Sequence, residues 1–177
     1  MKKLFLVLAL AFAGIFTANA QVWMGGSASA AVNKDVIGFT VAPEVGYCIP
    51  NTKWTVALGA NYGFHDEKVV GGTHDTSHSL ILSPYVRYSI VNIEKFGIFM
   101  DLTGDFNVLN TDYFSYAIAL QPGIAWMATE HWTAAFRFAY AEYRHGLNPH
   151  DPGTPTENGF FANFTLGTPW IGLYYNF

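Results

Sequence analysis

Residues 79–108 read SLILSPYVRYSIVNIEKFGIFMDLTGDFNV, and their parity decides the fold. Leu80, Leu82, Pro84, Val86, Tyr88 and Ile90 hold the even positions, while Ser79, Ser83, Arg87 and Ser89 dominate the odd ones. Successive side chains of a strand point to opposite faces, so this is a strand with two unlike sides. After a break at Val91 to Lys95 the pattern resumes, with Phe96, Ile98, Met100, Leu102, Phe106 and Val108 against Gly97, Asp101, Thr103, Asp105 and Asn107. Two long alternating runs joined by a short turn make an antiparallel hairpin.

Working outward, the same period runs through Trp54 to Phe64, Phe114 to Trp126 and Trp132 to Tyr140. Strands are predicted over 22–32, 36–49, 54–64, 78–90, 96–108, 113–126, 132–144 and 159–177, eight in all. A soluble sandwich or lipocalin-like barrel shows the same alternation, so period alone does not say what the apolar face meets. Residue type and length do. Beyond the N-terminal segment, Lys34, Lys53, Lys68 and Lys95 all fall in turns or loops, and the polar faces are built of Gly, Ala, Ser, Thr and Asn. Small residues suit a crowded barrel interior and large apolar ones suit lipid. Segments of about ten to fourteen residues exceed the roughly five to six of ordinary strands and match tilted membrane-spanning ones.

An even strand count lets a barrel close with both termini at one end. The connections after even strands are short (50–53, 91–95, 127–131), and the two longest, 65–77 and 145–158, follow odd strands. Short periplasmic turns and longer extracellular loops are the expected assignment. Tyr47, Trp54, Tyr88, Phe96, Trp126 and Trp132 fall at the short-turn ends, as an interfacial aromatic belt would. A shorter motif recurs at Pro43 to Tyr47, Pro84 to Tyr88, Pro122 to Trp126 and Pro169 to Leu173. Proline cannot donate to a ladder, so each is expected to mark a bulge or a rim. In the last strand the apolar parity slips between Phe164 and Ile171, which predicts a bulge near 167–169.

The N-terminus has the order of a cleaved signal peptide over residues 1–20: Lys2-Lys3, an apolar run from Leu4 to Phe16, then Ala18-Asn19-Ala20. Residues 21–177 then form one barrel domain. The chain is 51% hydrophobic and only 12% charged, half the usual charged share. A formal charge of −4 offers no basic surface for nucleic acid, and a single cysteine, Cys48, excludes an intrachain disulfide or a multi-thiolate zinc site.

The signal peptide, the eight alternating segments, the repeated Pro-x-Val-x-Tyr strand ends and the closing Gly172-Leu173-Tyr174-Tyr175-Asn176-Phe177 together resemble the OmpA/OmpX-like eight-stranded outer-membrane β-barrel family, in its small Bacteroidetes-type form. The resemblance covers residues 21–177. It implies a transmembrane antiparallel up-and-down barrel in the bacterial outer membrane, both termini periplasmic, surrounded by outer-membrane lipid and lipopolysaccharide. It also implies that Tyr175 and Phe177 are read by the barrel-assembly machinery during biogenesis, and that the chain is a monomer. The family includes structural, adhesive, channel-like and enzymatic members, so activity is not implied.

Alternation places Glu44, Arg87, Asp101, Asp105 and Arg137 inside the barrel, where buried charges persist by pairing; Asp101 and Arg137 are the expected partners. With Tyr85, Phe99, Gln121 and Tyr143 also directed inward, the lumen is expected to be filled by side chains. Cys48 has the same parity and is expected to be a small buried filler. Five histidines, His65, His74, His78, His145 and His150, fall in or beside the long loops near carboxylates, a chemistry that suits zinc, nickel or copper. Exposed polar loops collect such residues without purpose, and no metal or cofactor is expected. His78 and Ser79 are the nearest nucleophile and base pair, but strand neighbours face opposite ways. The expectation is a non-catalytic barrel that works structurally or through its loops, with a narrow solute channel or a lipid-modifying enzyme as the alternatives.

Overall fold

Alternation resolves into antiparallel ladders in a computed structural model that describes residues 21–32, 36–68, 74–109, 115–147, 158–164 and 170–177. The strands are β1 (Val22–Val32), β2 (Val36–Cys48), β3 (Trp54–Lys68), β4 (His74–Ile93), β5 (Phe96–Asn107), β6 (Tyr116–Met127), β7 (Trp132–Arg137), β8 (Tyr140–His145), β9 (Gly159–Asn163) and β10 (Trp170–Asn176). β7 and β8 are successive halves of one stave, and β9 and β10 of another, so the ten segments make eight staves. Neighbours in sequence pair throughout, and β1 pairs with β10, which closes the sheet into a barrel. Among the described residues there is no helix. The leader expected over 1–20 lies outside the described residues.

The hairpin quoted first pairs Arg87 with Asp101 and Tyr88 with Met100. A one-residue shift between Ser89 and Val91 marks a bulge at Ile90, beside the tight turn at Glu94 and Lys95. Even residues of β4 and β5 lie on the outer wall, where Leu82, Val86, Ile98 and Leu102 are exposed. Odd ones, including Ile81, Tyr85, Phe99 and Asp101, are buried within. Trp23 and Tyr174 meet edge to face at 4.9 Å, and with Tyr85, Phe99 and Ala135 they form the core of the lumen. Backbone approach makes room for these rings: a Cβ on Gly46 would fall 2.2 Å from the Trp23 indole, and one on Gly123 2.2 Å from the Phe99 ring.

Three features depart from the sequence reading. The expected loop 65–77 is largely ladder, since His65 pairs with Ser77 and Lys68 with His74, so the β3–β4 hairpin extends well past the predicted strand ends. The seventh strand is interrupted at Phe138 and Ala139, where its register against β6 moves by one residue. Below the interruption odd residues face inward, and above it Glu142 and Arg144 do, so Tyr143 is not a lumen residue. Pro43 and Pro84 are not bulges: one ladder skips a pair of residues at each while its register continues unchanged, because only the missing N–H is lost. The bulge expected near 167–169 lies outside the described residues.

Candidate functional site

Four of the five inward charges predicted from parity meet in one cluster inside the half of the barrel that carries the short turns. Asp101, on β5 and fully buried, accepts two bonds from Arg87 across the β4–β5 ladder, Nε to Oδ1 at 2.7 Å and Nη2 to Oδ2 at 2.8 Å. Arg137 reaches the same carboxylate from β7, Nε to Oδ2 at 2.8 Å. Its other two nitrogens donate to Glu44 on β2 at 3.2 and 3.4 Å. Glu44 also accepts from the Tyr85 hydroxyl at 2.5 Å and the Tyr174 hydroxyl at 3.3 Å. Two carboxylates and two guanidinium groups thus balance in a chain of charge-assisted bonds that crosses the lumen.

Aromatic rings complete the plug. The Arg87 guanidinium lies 3.7 Å from the Phe99 ring centre and that of Arg137 lies 4.1 Å from Trp170, so each cation has a carboxylate at its edge and a π face on its flat side. Asp105 sits one layer higher and accepts from Ser83 at 2.5 Å. Above the plug the lumen opens into a cavity of about 310 Å³. Among the described residues, side chains therefore fill one half of the barrel and border a chamber in the other, where the expectation was a lumen filled by side chains.

Parity reasoning missed a second buried pair. Arg144 donates to Glu142 on the same strand, with its guanidinium 4.4 Å from the Phe161 ring. The signal was present: in Tyr140-Ala141-Glu142-Tyr143-Arg144 the charges fall on even positions, out of step with Arg137. Cys48 is exposed rather than a buried filler, because β2 ends there at the barrel rim; its sulfur accepts from Thr55 at 3.5 Å.

On the outer wall the six predicted belt residues lie at the short-turn end. Trp54 packs on Tyr88 at 4.7 Å, Phe96 pairs with Trp126, and Trp132 meets Tyr175 edge to face at 5.2 Å. Tyr175 in turn packs on Phe177 at 5.1 Å. A second aromatic group, not foreseen, stands at the opposite end. Phe39 stacks on Phe64 at 5.3 Å and Tyr62 holds His78 through a 2.8 Å bond, while Tyr143 lies 5.1 Å from Phe160. His78 is thus turned to the outer wall. Ser79 is turned inward against Gly63, so the two share no face. Among the described residues no group of three or more His, Cys, Asp or Glu is placed to hold a metal ion.

No family model matches the chain, and no curated protein matches it.

Proposed function

We propose that this chain is an integral outer-membrane barrel of the OmpA/OmpX-like kind, non-catalytic and sealed against through-flow, which presents its extracellular loops to partners or neighbouring envelope components. The observation that carries the reading is the pair of aromatic girdles with an aliphatic band between them. Ten residues separate His78 from Tyr88, and ten separate Tyr116 from Trp126. At about 3.3 Å per residue and a tilt of about 40°, that spacing is about 25 Å along the barrel axis, the height of the apolar band on barrels that cross a bilayer. The wall between is exposed Val56, Leu82, Val86, Leu102, Leu120 and Leu173, with its charges turned inward. A water-facing wall would carry charged side chains instead.

Sealing follows from the ion cluster. Conduction requires a continuous wet path, and the pairing of the plug charges with one another beside the rings of Tyr85, Phe99 and Trp170 supports a lumen without one. The protein's contribution is then its rigid frame and what that frame displays, the β3–β4 hairpin tip and the segment between β8 and β9. The barrel-assembly machinery would read Tyr175 and Phe177, and the signal peptide would direct export.

Reconstitution into vesicles of lipids brominated at different acyl depths tests the reading. Trp54, Trp126 and Trp132 should be quenched most by the shallowest bromines and least by those near the bilayer centre. A tryptophan emission that no brominated lipid quenches, from a protein with an intact β spectrum, would show a barrel that does not enter lipid.

A further inference from the structure

We propose that the chamber above the plug binds a small neutral polyol, a solute whose hydroxyl groups both donate and accept hydrogen bonds. Three side chains carry the inference: Asn61 on β3, Thr103 on β5 and Gln121 on β6 border the same space from three different staves. Thr103 is only 6% exposed. Among the described residues none of the three side chains has a hydrogen-bond partner, and the one fully enclosed side-chain atom without a partner lies elsewhere, at Gln21 Oε1. The polar atoms of Asn61, Thr103 and Gln121 are therefore turned to the open chamber and not sealed against protein. Polar groups inside a protein are ordinarily paired, so three unpaired ones converging on one space mark a site for a hydrogen-bonding solute. A volume of about 310 Å³ lies at the small end of the ~300–1,000 Å³ range of ligand pockets, room for about ten waters or a solute of similar atom count.

The charges of the lining do not set its preference. Arg137 bonds Glu44 and Asp101, and Asp105 accepts from Ser83, so none of them is free to take a counter-ion. An ion entering the chamber would give up water without gaining a partner charge. An apolar solute would leave the two amides and the hydroxyl unpaired. A carboxamide and a hydroxyl each donate and accept, as the hydroxyls of a polyol do, so a polyol satisfies all three side chains at once. Gly59 supplies the test of place. It lies on β3 between Glu44 and Ser83, lining the chamber, and a Cβ there would meet its nearest neighbours at 3.4 to 3.6 Å, ordinary contact. A larger side chain at this position would grow into the chamber without disturbing the backbone. The chamber belongs to the barrel fold, so binding in micelles can be measured whether or not the membrane reading holds.

Erythritol, ethylene glycol dimethyl ether, butylammonium and butyrate would be titrated against isotopically labelled protein in phosphocholine micelles, which bring no sugar headgroup. The side-chain amide signals of Asn61 and Gln121 report on the chamber. Erythritol should shift both signals saturably, and the ether, which accepts but does not donate, should bind at least tenfold more weakly, as should both ions. Thr103→Val, isosteric but without the hydroxyl, should weaken erythritol at least fivefold, and Gly59→Leu should abolish its shifts while leaving the backbone spectrum intact. Absence of saturable shifts would overturn the site. Equal binding of the ether or of either ion would overturn the polyol assignment, and both of these results are read on the parent protein alone, whatever the variants do. Shifts that persist in a folded Gly59→Leu variant would place the binding outside the chamber and overturn the proposal, and unchanged affinity in Thr103→Val would overturn the assignment of these side chains to the ligand.

Discussion

Replacing Arg137 by alanine removes the one group that joins both carboxylates of the plug. Asp101 keeps its two bonds from Arg87, but Glu44 is left buried with only the Tyr85 and Tyr174 hydroxyls as donors. The cluster passes from neutral to one negative charge, and the Trp170 ring loses the cation stacked on it. Breaking a buried pair from one side costs about 3 to 5 kcal/mol, and the two phenol donors place this case toward the lower end. An equilibrium constant changes tenfold for each 1.4 kcal/mol, so the folded population in urea should fall by two orders of magnitude or more. Glu44→Gln in the same background removes the stranded charge and keeps an acceptor for the hydroxyls, so the double variant should recover about half of the loss. Urea titration of vesicle-inserted protein, read by tryptophan emission and by the β signal in circular dichroism, gives the midpoints. A loss below about 1 kcal/mol for Arg137→Ala, with Glu44→Gln simply additive, would mean that water already screens these charges and that the plug is not sealed.

Gly123→Val should destabilise the barrel by about 1 to 3 kcal/mol in the same titration, because its Cβ would collide with the Phe99 ring and with the Phe136 carbonyl at 2.7 Å; an unchanged midpoint would show that the plug rings repack freely. Protease added to intact cells should cut within 148–157 and spare the turns at 50–53 and 94–95, and cleavage only after permeabilisation would invert the proposed topology.

The fold was legible because inside and outside of a barrel differ at every second residue, and that contrast survives along β3, β4, β5 and most of β6. The ion cluster was half legible for the same reason: parity puts Asp101 and Arg137 in the lumen, and only the closed ring brings Glu44 on β2 to Arg137 on β7. What stayed hidden depends on backbone irregularity or on apolar residues that serve two purposes. The extra residue at Phe138 and Ala139 hid the Glu142–Arg144 pair, since Phe138 and Tyr140 extend the even apolar pattern of Trp132, Ala134 and Phe136. The upper girdle was obscured because Phe39, Tyr62 and Phe64 read equally well as ordinary strand formers. The chamber was invisible, because a void is defined by Gly59 and Ser83 being small, which the sequence shows equally at filled positions such as Gly123.

The interruption at 138–139 also predicts an asymmetry between two deletions. Arg137 and Tyr140 both border the chamber although two residues lie between them, so one of the two is surplus to strict alternation. Removing Ala139 leaves Arg137, Glu142 and Arg144 on the inner face and lets the β6 ladder run through in one register. Removing Gly104 from β5 has no bulge to absorb it: residues above it exchange faces, and Asp105 is sent toward lipid while Phe106 turns into the lumen. A charge on the lipid face costs up to about 2 to 4 kcal/mol for Arg or Lys at mid-depth and less for an acid, to which the misplaced ring adds overpacking. The variant lacking Ala139 should therefore insert into vesicles with a yield close to that of the parent, and the variant lacking Gly104 with a small fraction of it. Adding Asp105→Leu and Phe106→Ser to the second deletion restores the inner and outer character and should recover part of the yield. Equal failure of both deletions would show that the interruption is a required part of the strand and not a surplus residue.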